Sequence, residues 1–167
     1  MTIAPVLTIA GSDSSGGAGV QADLKTMTML GCFGMSAITA LTAQNTLGVQ
    51  GICPVPAEFL KQQIAAVCED IPPAAVKVGM VYDTPQILAI ADQLPHVVVD
   101  PVMVATSGDP LLKQQAQQAL TEQLFPLAEL LTPNLPEAEQ LTGTSITSPP
   151  QMEQAARQLS ETYHTAV

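Results

Sequence analysis

The chain has 167 residues, 47% of them apolar, which suits one domain with a substantial buried core. Five basic against fifteen acidic residues leave a net charge of -10, which disfavours nonspecific attraction to nucleic-acid phosphates or anionic lipid and argues against both as partners. The opening MTIAPVLTIAGSDSSG has no basic n-region and too short an apolar run for a signal peptide, and no later stretch approaches a membrane-spanning length, so a cytoplasmic protein is expected.

Short apolar runs alternate with longer helical patterns, the reading of a parallel sheet with crossover helices. Val6 to Ala10 predicts a first strand, followed by the glycine-rich turn AGSDSSGGAG from Ala10 to Gly19. Val20, Leu24, Met27 and Leu30 then recur at helical spacing, with Gly31 at the expected C-terminal cap. Met35 to Leu41 is the second strand, and Pro54 to Pro56 leads into a helix carrying Phe59, Leu60, Ile64 and Val67. Val76 to Met80 is the third strand. Thr84 as cap and Pro85 at the first helical position open a helix through Ile87, Leu88, Ala91 and Leu94. Val97 to Asp100 follows as a strand buried on both faces.

The glutamine-rich stretch Lys113 to Gln123 carries Ala116, Ala119, Leu120 and Leu124 as a helical stripe and reads as a surface helix rather than low complexity. Leu130 to Thr132 predicts a short strand, Pro136 to Leu141 a short helix ending at Gly143, and Ser148-Pro149 a last helix through Met152, Ala156, Leu159 and Tyr163. Thr165-Ala166-Val167 then looks like the opening of another strand. Because a crossover helix normally returns to a parallel strand, an architecture incomplete at its C-terminus is expected, with a natural final helix as the alternative.

In open parallel sheets, ligands bind beyond the carboxyl ends of the strands. The residues found there are Asp13 in the glycine turn, then Thr42, Gln44 and Asn45, then Gly79, Met80 and Asp83, then Asp100, and finally Asn134 and Glu137. The glycine turn is not a Walker loop, since no lysine follows Gly16 or Gly17. Gly17, Gly19 and Ala22 match G-x-G-x-x-A, but GMSAITALTAQN lacks the acidic residue that would hold a ribose hydroxyl. What remains is a backbone a flat ligand can approach closely, with exposed amides and a helix N-terminus favouring polar or anionic groups.

Each remaining candidate has a plain structural reading beside the functional one. Gln44 donates and accepts together, so it suits the amide-like edge of a heteroaromatic ring or fixes a loop. Asp100 before Pro101 binds Mg2+ through water or sets a turn. Asn134 and Glu137 have the spacing of a helix cap with its reciprocal partner. Thr106, Ser107, Gly108 and Asp109 form a polar loop that contacts phosphate or merely turns. Cys32, Cys53 and Cys68 form no C-x-x-C pair and read as reduced apolar fillers, and His96 and His164 as surface or edge-of-core residues.

Five blocks in order, LTIAGSDSSGGAGVQADLKT, ITALTAQNTLGV, VKVGMV, VVVDPVMVATSGDPLL and LLTPNLPEAEQLTG, closely resemble the bacterial hydroxymethylpyrimidine and phosphomethylpyrimidine kinases of the ribokinase superfamily. The resemblance implies an α/β fold, a ribokinase-like three-layer α/β/α arrangement with a mainly parallel sheet, of which residues 1–167 are the substrate-binding part. It implies transfer of the ATP γ-phosphate, with Mg2+, to 4-amino-5-hydroxymethyl-2-methylpyrimidine and then to its monophosphate, in thiamine biosynthesis. A homodimer and a pyridoxal-type kinase of the same fold are also within its reach. By position, Gly11, Asp23, Gln44 and Met80 correspond to pyrimidine-site residues, Asp100 and Glu137 to the Mg2+ site, and Asn134 with Glu137 to the ATP side. Many relatives carry lysine where Thr106 stands. The family's Gly-Thr-Gly-Cys anion hole has no counterpart before Val167, so little or no kinase activity is expected of this chain alone.

Overall fold

The computed structural model describes residues 3–94, 96–103 and 114–167; the polar loop at 106–109 lies outside them. In chain order the elements are β1 (Pro5–Ala10), α1 (Gly19–Met29), β2 (Phe33–Ile38), β3 (Ala40–Asn45), β4 (Gly48–Pro54), α2 (Ala57–Asp70) and β5 (Ala75–Val78). They continue with α3 (Thr84–Ala91), β6 (Val97–Val99), α4 (Gln114–Ala119), β7 (Ala128–Leu131), α5 (Leu135–Thr142) and α6 (Pro149–Tyr163). A π-helical turn at Leu120–Leu124 and a 3-10 turn at Phe125–Leu127 join α4 to β7.

Five strands form one parallel sheet in the order β2-β1-β5-β6-β7. Strand alternation divides their side chains between two faces. Leu7, Ile9, Val76, Val78, Val97 and Val99 point to one face and pack with Leu60 and Ile64 of α2, Ile87 and Ile90 of α3, and Leu120 and Leu124 of the predicted glutamine-rich helix. Each such fully buried aliphatic side chain contributes about 1.5–3 kcal/mol. Thr8 and Lys77 point the other way and meet Asp23 of α1, while Gly34 lies under Leu24 and Met27 of the same helix. The three-layer α/β/α arrangement that the family resemblance implies is therefore present.

Local chemistry sets the helix ends. Asn134 and Glu137 form a reciprocal capping box at α5, which stops at Gly143 in the left-handed region with φ 68°. At α3 the cap is Asp83, not Thr84: the Asp83 carboxylate accepts from the Gln86 amide at 3.2 Å, and Thr84 becomes the first helical residue. Two adjacent residues competed for that role, and the carboxylate, an acceptor that also favours the positive end of the helix, took it. Beyond α6, the Leu131 amide donates to the Ala166 carbonyl at 2.8 Å, and Leu130 and Ala166 bridge in parallel, so Ala166 lies where a strand would continue the sheet beside β7.

The second predicted strand is corrected most. It ends at Ile38, and the residues after Thr39 form an antiparallel hairpin, β3 with β4, outside the main sheet. Thr42, Gln44 and Asn45 therefore belong to a two-stranded flap rather than a loop. Cys53 lies exposed on that flap and fills no core, whereas Cys32 and Cys68 are partly covered. His96 pairs with Glu129 on the surface at 3.1 Å, as a surface histidine should. No helix among the described residues is long and apolar enough to cross a membrane.

Candidate active site

The sheet order changes direction between β1 and β5: the chain leaves β1 outward to β2, then returns to β5 on the other side. Such a switch point opens a crevice at the carboxyl ends of the two strands. A cavity of about 640 Å³ lies there, and Gly11, Asp23, Gln44, Met80, Asp100, Asn134 and Glu137, the seven residues singled out from the sequence, all line it.

The floor is made where β1 and β5 end. A Cβ added to Gly11 would sit 2.6 Å from the Met80 sulfur, so glycine is needed for Met80 to lie against the backbone. Met80 is buried, and its carbonyl accepts from the Thr39 hydroxyl at 2.7 Å, which ties this wall to the root of the flap. Gly19 has φ 57°, and a Cβ there would collide with the Gly11 carbonyl, whose oxygen accepts from the Val20 amide. The glycine turn thus folds back on the end of β1.

Asp13 organises that turn. Its Oδ1 accepts from the amide and hydroxyl of Ser15 at 2.9 and 2.7 Å, and its Oδ2 from the amides of Gly17 and Ala18 at 2.9 and 2.8 Å. Burial pushes its carboxyl up, but the four bonds outweigh burial and hold it below the ordinary value of 3.8. Three further turn amides are engaged: Ser12 donates to the Ala40 carbonyl, Asp13 to the Gln21 side chain, and Gly16 to the Asp13 carbonyl. The expectation of exposed amides awaiting an anion is narrowed here, since the amides of Ser12, Asp13, Ser15, Gly16, Gly17 and Ala18 bond within the chain. A carboxylate of the chain itself holds the two amides just before α1, those of Gly17 and Ala18, although α1 itself has no side-chain cap.

The flap is sewn to the turn by hydroxyls. Ser14 Oγ bridges the carbonyls of Thr42 and Gln44, and the Gln44 amide donates back to Ser14 Oγ at 2.9 Å. Thr42 Oγ1 lies 2.7 Å from the Ser12 carbonyl and 3.2 Å from Gln44 Oε1. The register of the hairpin shifts between Ala43 and Gln44. Such a bulge re-aims the side chain that follows it, here Gln44 at the cavity wall.

On the opposite side stand the carboxylates. Thr8 Oγ1 donates to Asp23 Oδ2 at 2.6 Å, and Lys77 Nζ lies 3.2 Å from both Asp23 oxygens and 3.4 Å from Asp100 Oδ2. Lys77 is the one lysine or arginine lining the cavity among the described residues. Glu137 is almost fully covered; burial pushes its carboxyl up and Asp100 adds to this, against the bonds from Asn134 and the Met103 amide. Two carboxylates that repel each other across a polar cavity are a donor set suited to Mg2+, which takes one or two carboxylates and completes its shell with water and phosphate oxygens. No cluster of three or more His, Cys, Asp or Glu side chains with metal-site spacing occurs among the described residues.

Sequence reasoning passed over Thr8 and Lys77. A signal was present: each is a polar residue inside an apolar strand run, LTI and VKV, and strand alternation puts both on the face opposite the core. It also inspected Asp13 without seeing its role as the anchor of the turn.

Residues 13–167 match the family model for phosphomethylpyrimidine kinase. The chain is 52% identical over 164 residues to the hydroxymethylpyrimidine/phosphomethylpyrimidine kinase of Bacillus subtilis, covering 95% of this chain and 60% of that protein. It spans 60% or less of the length of the first curated relatives it matches. Among solved structures, the phosphomethylpyrimidine kinase of Clostridium difficile 630 superposes with a TM-score of 0.87 at 50% identity, covering 95% of this chain and 71% of that one. An ADP complex of Bacillus subtilis pyridoxal kinase gives 0.84 at 38% identity, covering 97% and 64%. With its fold, its ordered motifs and a family match over nearly its whole length, the chain belongs to the phosphomethylpyrimidine kinase family.

Proposed function

We propose that the chain is the substrate-binding part of an ATP-dependent cytoplasmic kinase that phosphorylates 4-amino-5-hydroxymethyl-2-methylpyrimidine and its monophosphate for thiamine biosynthesis. The observation that carries this reading is the convergence of Gly11, Asp23, Gln44 and Met80 on one cavity whose far side holds Asp100, Asn134 and Glu137. Gln44 reads the donor and acceptor edge of the ring, Met80 packs on its face, Gly11 lets it approach the backbone, and Asp23 accepts from a ring or exocyclic N–H. Asp100 and Glu137 hold Mg2+, which when bound neutralises phosphate charge, and Asn134 keeps Glu137 oriented through the cap. The nucleotide lies on this carboxylate side, next to the Mg2+ that Asp100 and Glu137 hold.

Phosphoryl transfer is catalysed by placing donors on the charge that develops at the transferring group. Most of the turn amides that would be natural donors are taken within the chain, so we assign recognition rather than transfer to the described residues. A pyridoxal-type kinase is the second reading, favoured by the 0.84 superposition on a pyridoxal kinase. Calorimetric titration separates them. The 167-residue chain should bind the hydroxymethylpyrimidine and resist displacement by pyridoxal, and it should release no ADP from ATP and Mg2+. Tighter binding of pyridoxal supports the second reading, binding of neither ring rejects both, and measurable turnover rejects the assignment of recognition alone.

A further inference from the structure

We infer that Lys77 is a positioning residue of the pyrimidine site, acting through Asp23, an inference that rests on the pyrimidine-binding reading above. Lys77 stands in the middle of β5 between Val76 and Val78, both buried in the core. Its side chain points to the other face, toward α1 and the cavity, where a partly covered ammonium is held by pairing. Its partners come from distant parts of the chain: Asp23 from α1, and Asp100 from the end of β6. All three side chains are partly covered, at 26%, 18% and 33% exposure, which puts the pairs outside the class of mobile surface ion pairs.

The geometry constrains Asp23 in particular. Lys77 Nζ is equidistant from its two oxygens at 3.2 Å, and Thr8 Oγ1 holds Oδ2 at 2.6 Å. A carboxylate gripped on both oxygens by one cation and on one of them by a hydroxyl has its plane fixed, while it keeps lone pairs to offer a ligand donor. Glycine keeps the space for that cation open: a Cβ at Gly79 would sit 3.0 Å from Lys77 Nζ. Fixing an acceptor before the ligand arrives removes an ordering cost from binding. The same ammonium reaches Asp100, so the ring side and the carboxylate side of the cavity are pinned to a common point.

The test is a double-mutant cycle on affinity for 4-amino-5-hydroxymethyl-2-methylpyrimidine, measured by calorimetry on the whole chain. Lys77→Met should weaken binding by about tenfold, the usual scale of coupling between residues in contact. Lys77→Arg, which keeps the charge, should recover most of that loss. In an Asp23→Asn background, Lys77→Met should cause no further loss, because the carboxylate through which Lys77 acts is gone. Multiplicative losses in the cycle, or equal losses for Met and Arg, overturn the inference while leaving the pyrimidine reading intact. Absence of binding by folded wild type rejects that reading and the inference with it. Should Lys77→Met not fold, a crystal structure of the wild-type chain with the pyrimidine decides. Lys77 Nζ should remain within about 3.5 Å of both Asp23 oxygens while Asp23 accepts from the ring, and an ammonium turned away from Asp23 overturns the inference.

Discussion

Replacing Asp13 with asparagine keeps size and shape but leaves one acceptor oxygen where the carboxylate has two. With its NH2 toward Gly17 and Ala18 two bonds are lost; with its NH2 toward Ser15 the hydroxyl turns to accept and only the Ser15 amide bond is lost, and either way the surviving bonds lose their charge assistance. A hydrogen bond to a charged group contributes about 1.5–3 kcal/mol, and water reaches the exposed Gly17 and Ala18 to recover part, so the expected net loss is about 2–4 kcal/mol. For a domain of this length that lowers the melting temperature by about 4–16 °C at neutral pH, read by circular dichroism. The acid side supplies a second check. The folded-state value of Asp13 lies below the ordinary 3.8, so its contribution is fully present above that value and declines as pH falls through the lower folded one. The stability gap between wild type and variant should hold constant down to about pH 4 and narrow below it. A gap under about 0.5 kcal/mol at neutral pH, the scale of an unremarkable surface change, would refute Asp13 as the anchor of the turn. So would a gap that widens in acid.

Gly19→Ala and Gly143→Ala test whether contact or conformation governs the glycines: both have positive φ, but Gly143 has nothing within 4 Å of an added Cβ while Gly19 meets the Gly11 carbonyl. Denaturant titration should show about 1–2 kcal/mol lost at Gly143 and clearly more at Gly19, and equal losses would contradict the collision. Gln86→Glu should loosen the flap, because Gln86 Nε2 donates to the carbonyls of Thr39 and Val55 at its two roots and a carboxylate cannot. Hydrogen exchange should quicken in β3 and β4 while β1 and β5 keep their protection, and unchanged flap exchange would remove Gln86 as its fastening.

Four of the parallel strands were legible as short, mainly apolar runs bounded by turn residues, while β2 was read only in part and run on into the flap. The β3-β4 hairpin was not, for a physical reason. Of its residues only Ala40 is buried, so no apolar alternation marks it, and Asn45 to Gly48 is not one of the strong two-residue turn signals. Gln44, Met80, Asp100, Asn134 and Glu137 were found because they follow predicted strand ends, whereas Gly11 and Asp23, the latter inside α1, were found only through the family blocks. The ammonium linking two of these seven residues was not, since Lys77 and Asp23 are separated by 54 positions and meet only after β5 pairs with β1. Asp13 was misjudged in the opposite sense: its partners are two to five residues away, yet a short acidic side chain among glycines carries no mark of whether it binds a ligand or its own backbone.

If the cavity at the β1/β5 switch point recognises a pyrimidine through Gln44, titration with 4-amino-5-hydroxymethyl-2-methylpyrimidine must separate wild type from Gln44→Ala. Wild type should bind one equivalent, and the variant should bind about 5- to 150-fold more weakly, the equivalent of about 1–3 kcal/mol for a buried group left unpaired. Equal affinity in the two proteins, with both folded, would contradict it.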